Sequence, residues 1–414
     1  LSFVICLPRH STMAKWDHAE DAWFWDWDAK LAGKSQAHAD FQKMMRDFVD
    51  TVILPNIADW EEVGGYPEDL PAKAYAAGVY ASGLPKEYGG TGDSMDAWHR
   101  FIYNDELGRC CAGGLWASLL THGISLPPIL ALGTEKQKEM YAKEIITGRK
   151  RASLAITEPS GGSDVANLAT TAVREKDVYV VNGQKTFISG GMHADYFTTA
   201  VRTGSSGVGG ISLLMIPRNL PGVHTTRLKT QGWGVSTTTL VAFNDVRVPV
   251  ENLLGAENKG FLAIMLNFNN ERMSMAVGAC RMSRCCLEDA IRFARVRKTF
   301  GRPLVQQQVI RHKLMEMARM IMATNGFLVS VAESMDGDDY NRLGGRMALA
   351  KVQATRTLEF CAREASQILG GRSYLRGNHI GGRIERCWRE VRVYAIGGGS
   401  EEIMLELGSR MAKL

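Results

Sequence analysis

The sequence predicts an α+β chain in three parts: an N-terminal helical domain, a middle antiparallel β-domain and a C-terminal four-helix bundle. Three observations predict it. Helical periodicity runs from about residue 37 to 150, short alternating segments fill 152 to about 256, and long helical periodicity returns from about 260 to the end. A helix returns side chains to one face every ~3.6 residues and a strand every two, so the change of period marks a change of element.

Residues 1–35 form an extension in which Trp23, Trp25 and Trp27 alternate with Phe or acids in "AWFWDWDA", and a packed tail is expected there. Residues 36–151 read as helices punctuated by "EEVGGYPEDLP" and "EYGGTGDS", whose glycines and prolines suit turns. The span 152–256 contains "DVYVVNGQKTFIS", "DYFTTAVRT", "ISLLMIPR" and "TTLVAFNDVRVP", with Asn182-Gly183 expected to turn a hairpin. From 257 to 414, periodic segments near 260–297, 304–334 and 343–370 are long enough for a bundle.

Composition excludes several classes. The 414 residues are 45% apolar and 22% charged, as in an ordinary globular protein. The formal charge of +5 comes from scattered Lys and Arg with no tight cluster, which favours anionic small molecules over a nucleic-acid partner. The eight cysteines make no C-x-x-C pair and the nine histidines no H-E-x-x-H, so buried thiols and no metal are expected. No apolar run approaches the ~18 residues of a membrane span. No G-x-G-x-x-G lies between a strand and a helix, so a Rossmann dinucleotide site is not supported. The opening "LSFVICLPRH" is too short a greasy stretch for a secretory signal, and the closing Ala412-Lys413-Leu414 is similar to the S-K-L peroxisomal address.

The loop "LAITEPSGGSD", Leu154 to Asp164, offers hydroxyls and free backbone N–H groups that suit a polar ring edge or a phosphate. "GQKTFISGG", "RKTFGRPLVQQQ" and "QILGGRSY" follow in that order at wide separations. The set resembles the acyl-CoA dehydrogenase family from about residue 38 to 410. The resemblance implies that family's fold, FAD held between the β-domain and the bundle, and oxidation of the Cα–Cβ bond of an acyl-CoA substrate. It also implies electron-transfer flavoprotein as acceptor and a homotetramer, or a dimer of similar contacts. An oxidase-like relative using O2, or a flavin-bearing nucleic-acid-binding relative, are the alternatives. A peroxisome-type or mitochondrial-matrix location stays open between the two.

By the same resemblance, Thr157 bonds the pyrimidine side of the flavin and Ser189 lies near its N5. Phe187 lies beside the ring where Trp is common, keeping the aromatic face without the indole N–H. Arg297, Thr299 and Phe300 match the segment that reaches the FAD of a neighbouring subunit, where a guanidinium fork suits a pyrophosphate. Gln308, Gln367, Gly370 and Gly371 match further FAD contacts, and Ser400 keeps a hydroxyl near the flavin. Ser163 and Arg272 match positions along the pantetheine arm, with Asn269 where some relatives have Asp. Trp116 is expected on the helix that closes the acyl tunnel.

The base is the open question. In "YAIGGGSEEIM" the family's loop glutamate is replaced by Gly398, after Gly397, and glycine accepts no proton. Glu401 and Glu402 follow Ser400, an N-cap residue, so they suit a first helical turn stabilised by the helix dipole. In "LNFNNERMSMAVGA" the stripe Ile264, Phe268, Glu271, Met275, Ala279, Met282, Cys286 steps by three and four, and Glu271 occupies an apolar position in it. Burial would lift its pKa above the ~4.3 of an exposed Glu, toward that of a working base. From the stripe alone, a base and a structural glutamate paired with a remote arginine are both open. Some relatives, the isovaleryl and long-chain types, carry the base on this helix as Glu followed by Arg. That likeness assigns Glu271 the α-proton and leaves the Gly398 N–H to the thioester oxygen.

Overall fold

The computed structural model describes residues 35–92, 95–335 and 340–414; the tryptophan-rich extension lies outside them. Helices come first, among them α1 (Gln36–Phe48), α2 (Ile57–Val63), α3 (Ala97–Gly108) and α4 (Gly113–Leu119). Ser35 caps α1 and Asp96 caps α3, each accepting from a backbone N–H of the first turn. Asp96 also accepts from His38 at 3.0 Å and from His99 at 2.8 Å, which ties the start of α1 to that of α3.

Adjacent acids on α3 hold two different neighbours, since successive helical side chains point about 100° apart. Glu106 accepts from Gln42 (3.1 Å) and Arg46 of α1. Asp105 accepts from Arg281 (3.0 Å) and Arg284 (2.6 Å) on the long helix of the last domain. The N-terminal and C-terminal helical domains are therefore joined by buried ion pairs as well as by apolar packing.

The middle domain contains β1 (Ala152–Ala155), β2 (Thr171–Glu175), β3 (Val178–Ile188), β4 (Tyr196–Arg202), β5 (Ile211–Pro217), β6 (Val223–Arg227), β7 (Thr239–Pro249) and β8 (Leu253–Leu254). The sheet order is β6-β7-β3-β2-β4-β5-β8, with β1 beside β4. Most pairs are antiparallel, as expected, while β1 and β2 each run parallel to β4. In β5, Leu213 and Met215 pack on the N-terminal helices near Ile129 and Ile145, whereas Leu214 and Ile216 join Phe197, Phe243 and Val246 inside the sheet domain. Both faces are buried, which is why "ISLLMI" reads as a continuous apolar run.

Asn182-Gly183 does not turn a hairpin. β3 runs straight through it, with a register shift against β7 between Val181 and Gly183. The turn lies six residues earlier at Lys176-Asp177, where Glu175 pairs with Val178 and Lys176 takes φ 53°. Asn182 is held by the middle of β7 instead, donating to Asp245 Oδ1 and accepting from its backbone N–H, both at 2.9 Å. Glycine is required next door for a tertiary reason: a Cβ at Gly183 would lie 2.6 Å from Thr170 Oγ1, at φ +145°. Gly183→Ala is expected to lower stability by about 1–3 kcal/mol, read as a lower urea midpoint at unchanged m-value.

The last domain is built from α5 (Gly260–Val296), α6 (Gln308–Ala332), α7 (Gly344–Leu369), α8 (Gly382–Ile396) and α9 (Glu401–Met411). Its core includes Val277, Met282, Leu314, Ile321, Leu358 and Ile384. No single helix among the described residues is long and apolar enough to cross a membrane.

Candidate functional site

Along α5 the stripe predicted from the sequence turns inward: Ile264, Ala279, Met282 and Cys286 are buried, and Phe268, Glu271 and Met275 partly so. Among the described residues, the Glu271 carboxylate makes no hydrogen bond and no ion pair. Burial pushes its pKa above the ordinary carboxylate range, opposed by the charges of Arg272 and Lys351. Among the described residues, the remote arginine that a structural glutamate would need is not beside it. An unpaired carboxylate in such surroundings is unfavourable unless something else uses it.

What faces Glu271 is the glycine loop. α8 ends with the Gly397 N–H donating to Val393 O at 2.7 Å, and Gly398 (φ 65°) and Gly399 (φ 110°) then take left-handed backbone. A Cβ at Gly398 would lie 3.9 Å from Glu271 Oε1 and 2.9 Å from Met275 Sδ. A side chain on this loop would therefore enter the space in front of the carboxylate. The Gly398 N–H has no protein acceptor among the described residues. Ser400 caps α9, its hydroxyl accepting from the Ile403 N–H at 3.5 Å.

Glu401 pairs with Arg356 at 3.0 Å, and Glu402 is held below the usual carboxylate range by its own backbone N–H and the Ser400 hydroxyl. Both are occupied at the helix start. Arg272 turns back on the site: Nε donates to Gly398 O (3.3 Å), Nη1 donates to Asn269 Oδ1 (2.8 Å), and its guanidinium lies 5.9 Å from the Phe268 ring centroid. Lys351 of α7, fully buried, donates to Ala395 O (2.8 Å) and Gly399 O (2.7 Å).

On the β-domain, Thr157, Phe187 and Ser189 come together at the ends of β1 and β3. The Thr186 N–H donates to Thr157 O at 2.8 Å, and Ser153 Oγ to Ser189 O at 2.8 Å. Phe187 has φ 58° and is 66% exposed, an unusual backbone for a bulky residue and an unusual exposure for an aromatic face. Ser163 is exposed in the loop between β1 and β2. Trp116 on α4 is partly buried and donates Nε1 to Leu107 O at 2.6 Å.

Arg297, Thr299 and Phe300 form a small hairpin just beyond α5, with Gln308 opening α6. Phe300 is 97% exposed, and Arg297, Gln308, Gln367, Gly370 and Gly371 are exposed as well. A Cβ at Gly370 or Gly371 would meet nothing within 4 Å. From Glu271 to the end of α5 is roughly 38 Å of helix at 1.5 Å per residue. The Arg297 group and the Glu271 group thus lie too far apart to line one compact site in one chain.

These donors fit FAD. Hydroxyls at Thr157 and Ser189 with an uncovered aromatic at Phe187 suit the edge and face of a flat heteroaromatic ring. A guanidinium, two exposed amides and open glycine backbone suit a pyrophosphate and its nucleotide.

Sequence reasoning missed three residues. Glu158, inside the same loop, accepts from Lys185 Nζ (2.7 Å) and from the Ala169 (2.6 Å) and Thr170 (2.9 Å) N–H groups, so a buried ion pair anchors the loop that carries Thr157. Lys185 and Lys351 occupy buried positions of a strand and a helix, the same polar-in-apolar signal that singles out Glu271.

Three domain families match the chain: the acyl-CoA dehydrogenase N-terminal domain over residues 35–149, the middle domain over 153–246 and the C-terminal domain over 258–412. It is similar to the acyl-CoA dehydrogenase AFT10-1 of Alternaria alternata, 38% identical over 392 residues covering 90% of each chain. Among solved structures it is similar to a probable acyl-CoA dehydrogenase of Mycobacterium abscessus, with TM-score 0.87 and 42% identity over 92% of this chain and 99% of that one. It is also similar to a glutaryl-CoA dehydrogenase of Mycobacterium smegmatis in complex with FADH2, with TM-score 0.84 and 25% identity over 94% and 97%.

Proposed function

Because the chain belongs to the acyl-CoA dehydrogenase family of FAD-dependent oxidoreductases, we propose that it oxidises the Cα–Cβ bond of an acyl-CoA thioester to the trans-2-enoyl-CoA. Glu271 is the base in this proposal. The observation that carries it is the Glu271 carboxylate, unpartnered among the described residues and facing Gly398, whose missing side chain leaves room for a thioester.

The chemistry that FAD supplies when bound is acceptance of the β-hydrogen with its electron pair at N5. The α-proton passes to a Glu271 carboxylate oxygen, which needs the ionised form. Its raised pKa makes it a stronger base than an exposed glutamate, while Arg272 and Lys351 keep the ionised form available. Charge that develops on the thioester oxygen is met by the free Gly398 N–H. Thr157, Ser189 and Phe187 hold the ring, and Ser163 lies where the pantetheine arm passes.

The roughly 38 Å between Glu271 and the Arg297 hairpin supports an assembly in which that hairpin serves a neighbouring copy, a homotetramer or a dimer of the same contacts. Electron-transfer flavoprotein is the proposed acceptor.

The test is anaerobic mixing of the FAD-loaded protein with straight and branched acyl-CoAs of graded length. Flavin bleaching by one class, with the enoyl product detected, is the expected result; no bleaching by any acyl-CoA overturns the proposal. Peroxide formed in air in step with substrate use would move the acceptor to O2.

A further inference from the structure

Three consecutive glycines are the least constrained backbone a loop can have, yet the proposed site needs the Gly398 N–H aimed in one direction. Two cations hold the carbonyls around it. Arg272 takes Gly398 O at 3.3 Å, and Lys351 takes Ala395 O at 2.8 Å and Gly399 O at 2.7 Å, one on each side of the glycine that faces Glu271. Ala395 O belongs to the last turn of α8, where carbonyls lack helical partners and the dipole favours a positive charge.

We propose that Lys351 is a positioning residue for the reaction: its buried ammonium fixes the Ala395–Gly399 backbone so that the Gly398 N–H meets the thioester oxygen. The inference rests on the assignment of Glu271 as base and deepens it.

Lys351 is fully buried and, among the described residues, its Nζ is satisfied by carbonyls alone, with no carboxylate in hydrogen-bond contact. A lysine serving only to fill space would be replaceable by methionine of similar length. The charged groups around it are Glu271 and Arg272 on α5 and Glu401 and Glu402 on α9, with Glu401 itself paired to Arg356 of α7. Burial pulls the ammonium down to about 8 against the pull of the glutamates. Its charge in turn lowers the Glu271 pKa. The clamp is therefore charged at neutral pH and loses its charge within the range where the enzyme can be assayed.

The experiment compares Lys351→Met, Lys351→Arg and Glu271→Gln with the native holoenzyme, each checked for FAD content. Native enzyme should show kcat rising through the Glu271 ionisation and falling again near pH 8. Lys351→Met should lose that alkaline fall, and its acidic limb should move up by about one pH unit as an opposing positive charge is removed. Its kcat should drop roughly 10–100-fold through misplacement of the loop, with KM changed much less. Hydrogen exchange of the 395–399 backbone should quicken, and Lys351→Arg should restore the acidic limb by restoring the charge. A folded, FAD-loaded Lys351→Met with native pH limbs and native exchange overturns the inference. Should that variant not fold, a native profile with no alkaline fall between about pH 7 and 9.5 overturns it equally. Native activity in Glu271→Gln overturns instead the base assignment beneath it.

Discussion

Glu271→Gln is expected to lower kcat by roughly 10²–10⁴-fold, the usual contribution of a positioned base, while FAD binding and the fold survive. Glutamine keeps the shape and removes only the proton acceptor. Stability should move the other way. Burial raises the folded-state pKa of Glu271 above its unfolded value, so the proton is bound more tightly in the folded protein. The stabilisation from that bound proton is complete below the ordinary carboxylate pKa and is lost as pH rises through the raised one. At neutral pH the native protein thus carries an unpaired charge that the variant lacks, and Glu271→Gln should melt at the same temperature or higher. Below the ordinary carboxylate range the difference should vanish. Stopped-flow flavin reduction and thermal melts at two pH values check both halves. Undiminished reduction in an FAD-loaded variant would remove Glu271 from the chemistry.

Glu158→Ala should do the opposite, costing about 3–5 kcal/mol of stability because it strands a buried cation. Lys185 is fully buried, with Nζ bonded to Glu158 Oε1 at 2.7 Å and to Ile156 O at 3.0 Å. The same substitution removes the acceptor of the Ala169 and Thr170 N–H groups. Replacing both partners, Glu158→Leu with Lys185→Met, should cost less than Glu158→Ala alone, since no charge is then left behind. Burial raises the Glu158 pKa, but the Lys185 charge and the hydrogen bonds outweigh it and hold the carboxyl below the usual range. Burial brings Lys185 itself down to about 8 even beside Glu158. The Glu158 contribution is present above the unfolded carboxylate pKa and is lost as pH falls through the depressed one, so the gap between native and Glu158→Ala should close in acid. Because the loop carries Thr157, FAD should also leave this variant more readily, seen as free flavin fluorescence. Native midpoint and FAD retention together would show that the ion pair does not anchor the loop.

The two glutamates differ in one respect, and that difference assigns their roles. Glu158 is met on every side by donors, so its charge is part of the fold. Among the described residues Glu271 is met by none, so its charge is left for something that enters the site. Nothing in "LAITEPSGGSD" marks Glu158 as the more enclosed, because its partner Lys185 is contributed by a strand 27 residues away.

By itself the sequence determined the order of the three domains, because periods of two and 3.6 residues are properties of the backbone and need no tertiary partner. It also placed Glu271 on the inward stripe of α5 and Glu401 and Glu402 at a capped helix start, since stripe and cap are local. Tertiary structure alone decided that Asn182-Gly183 runs through a strand, because Thr170 comes too close for a side chain. It alone decided that Glu271 has no partner among the described residues and faces Gly398, and that Lys351 lies beneath that loop. Each of these depends on which distant segment arrives within a few ångströms of a residue, and a linear pattern holds the preference for burial but not the identity of the neighbour.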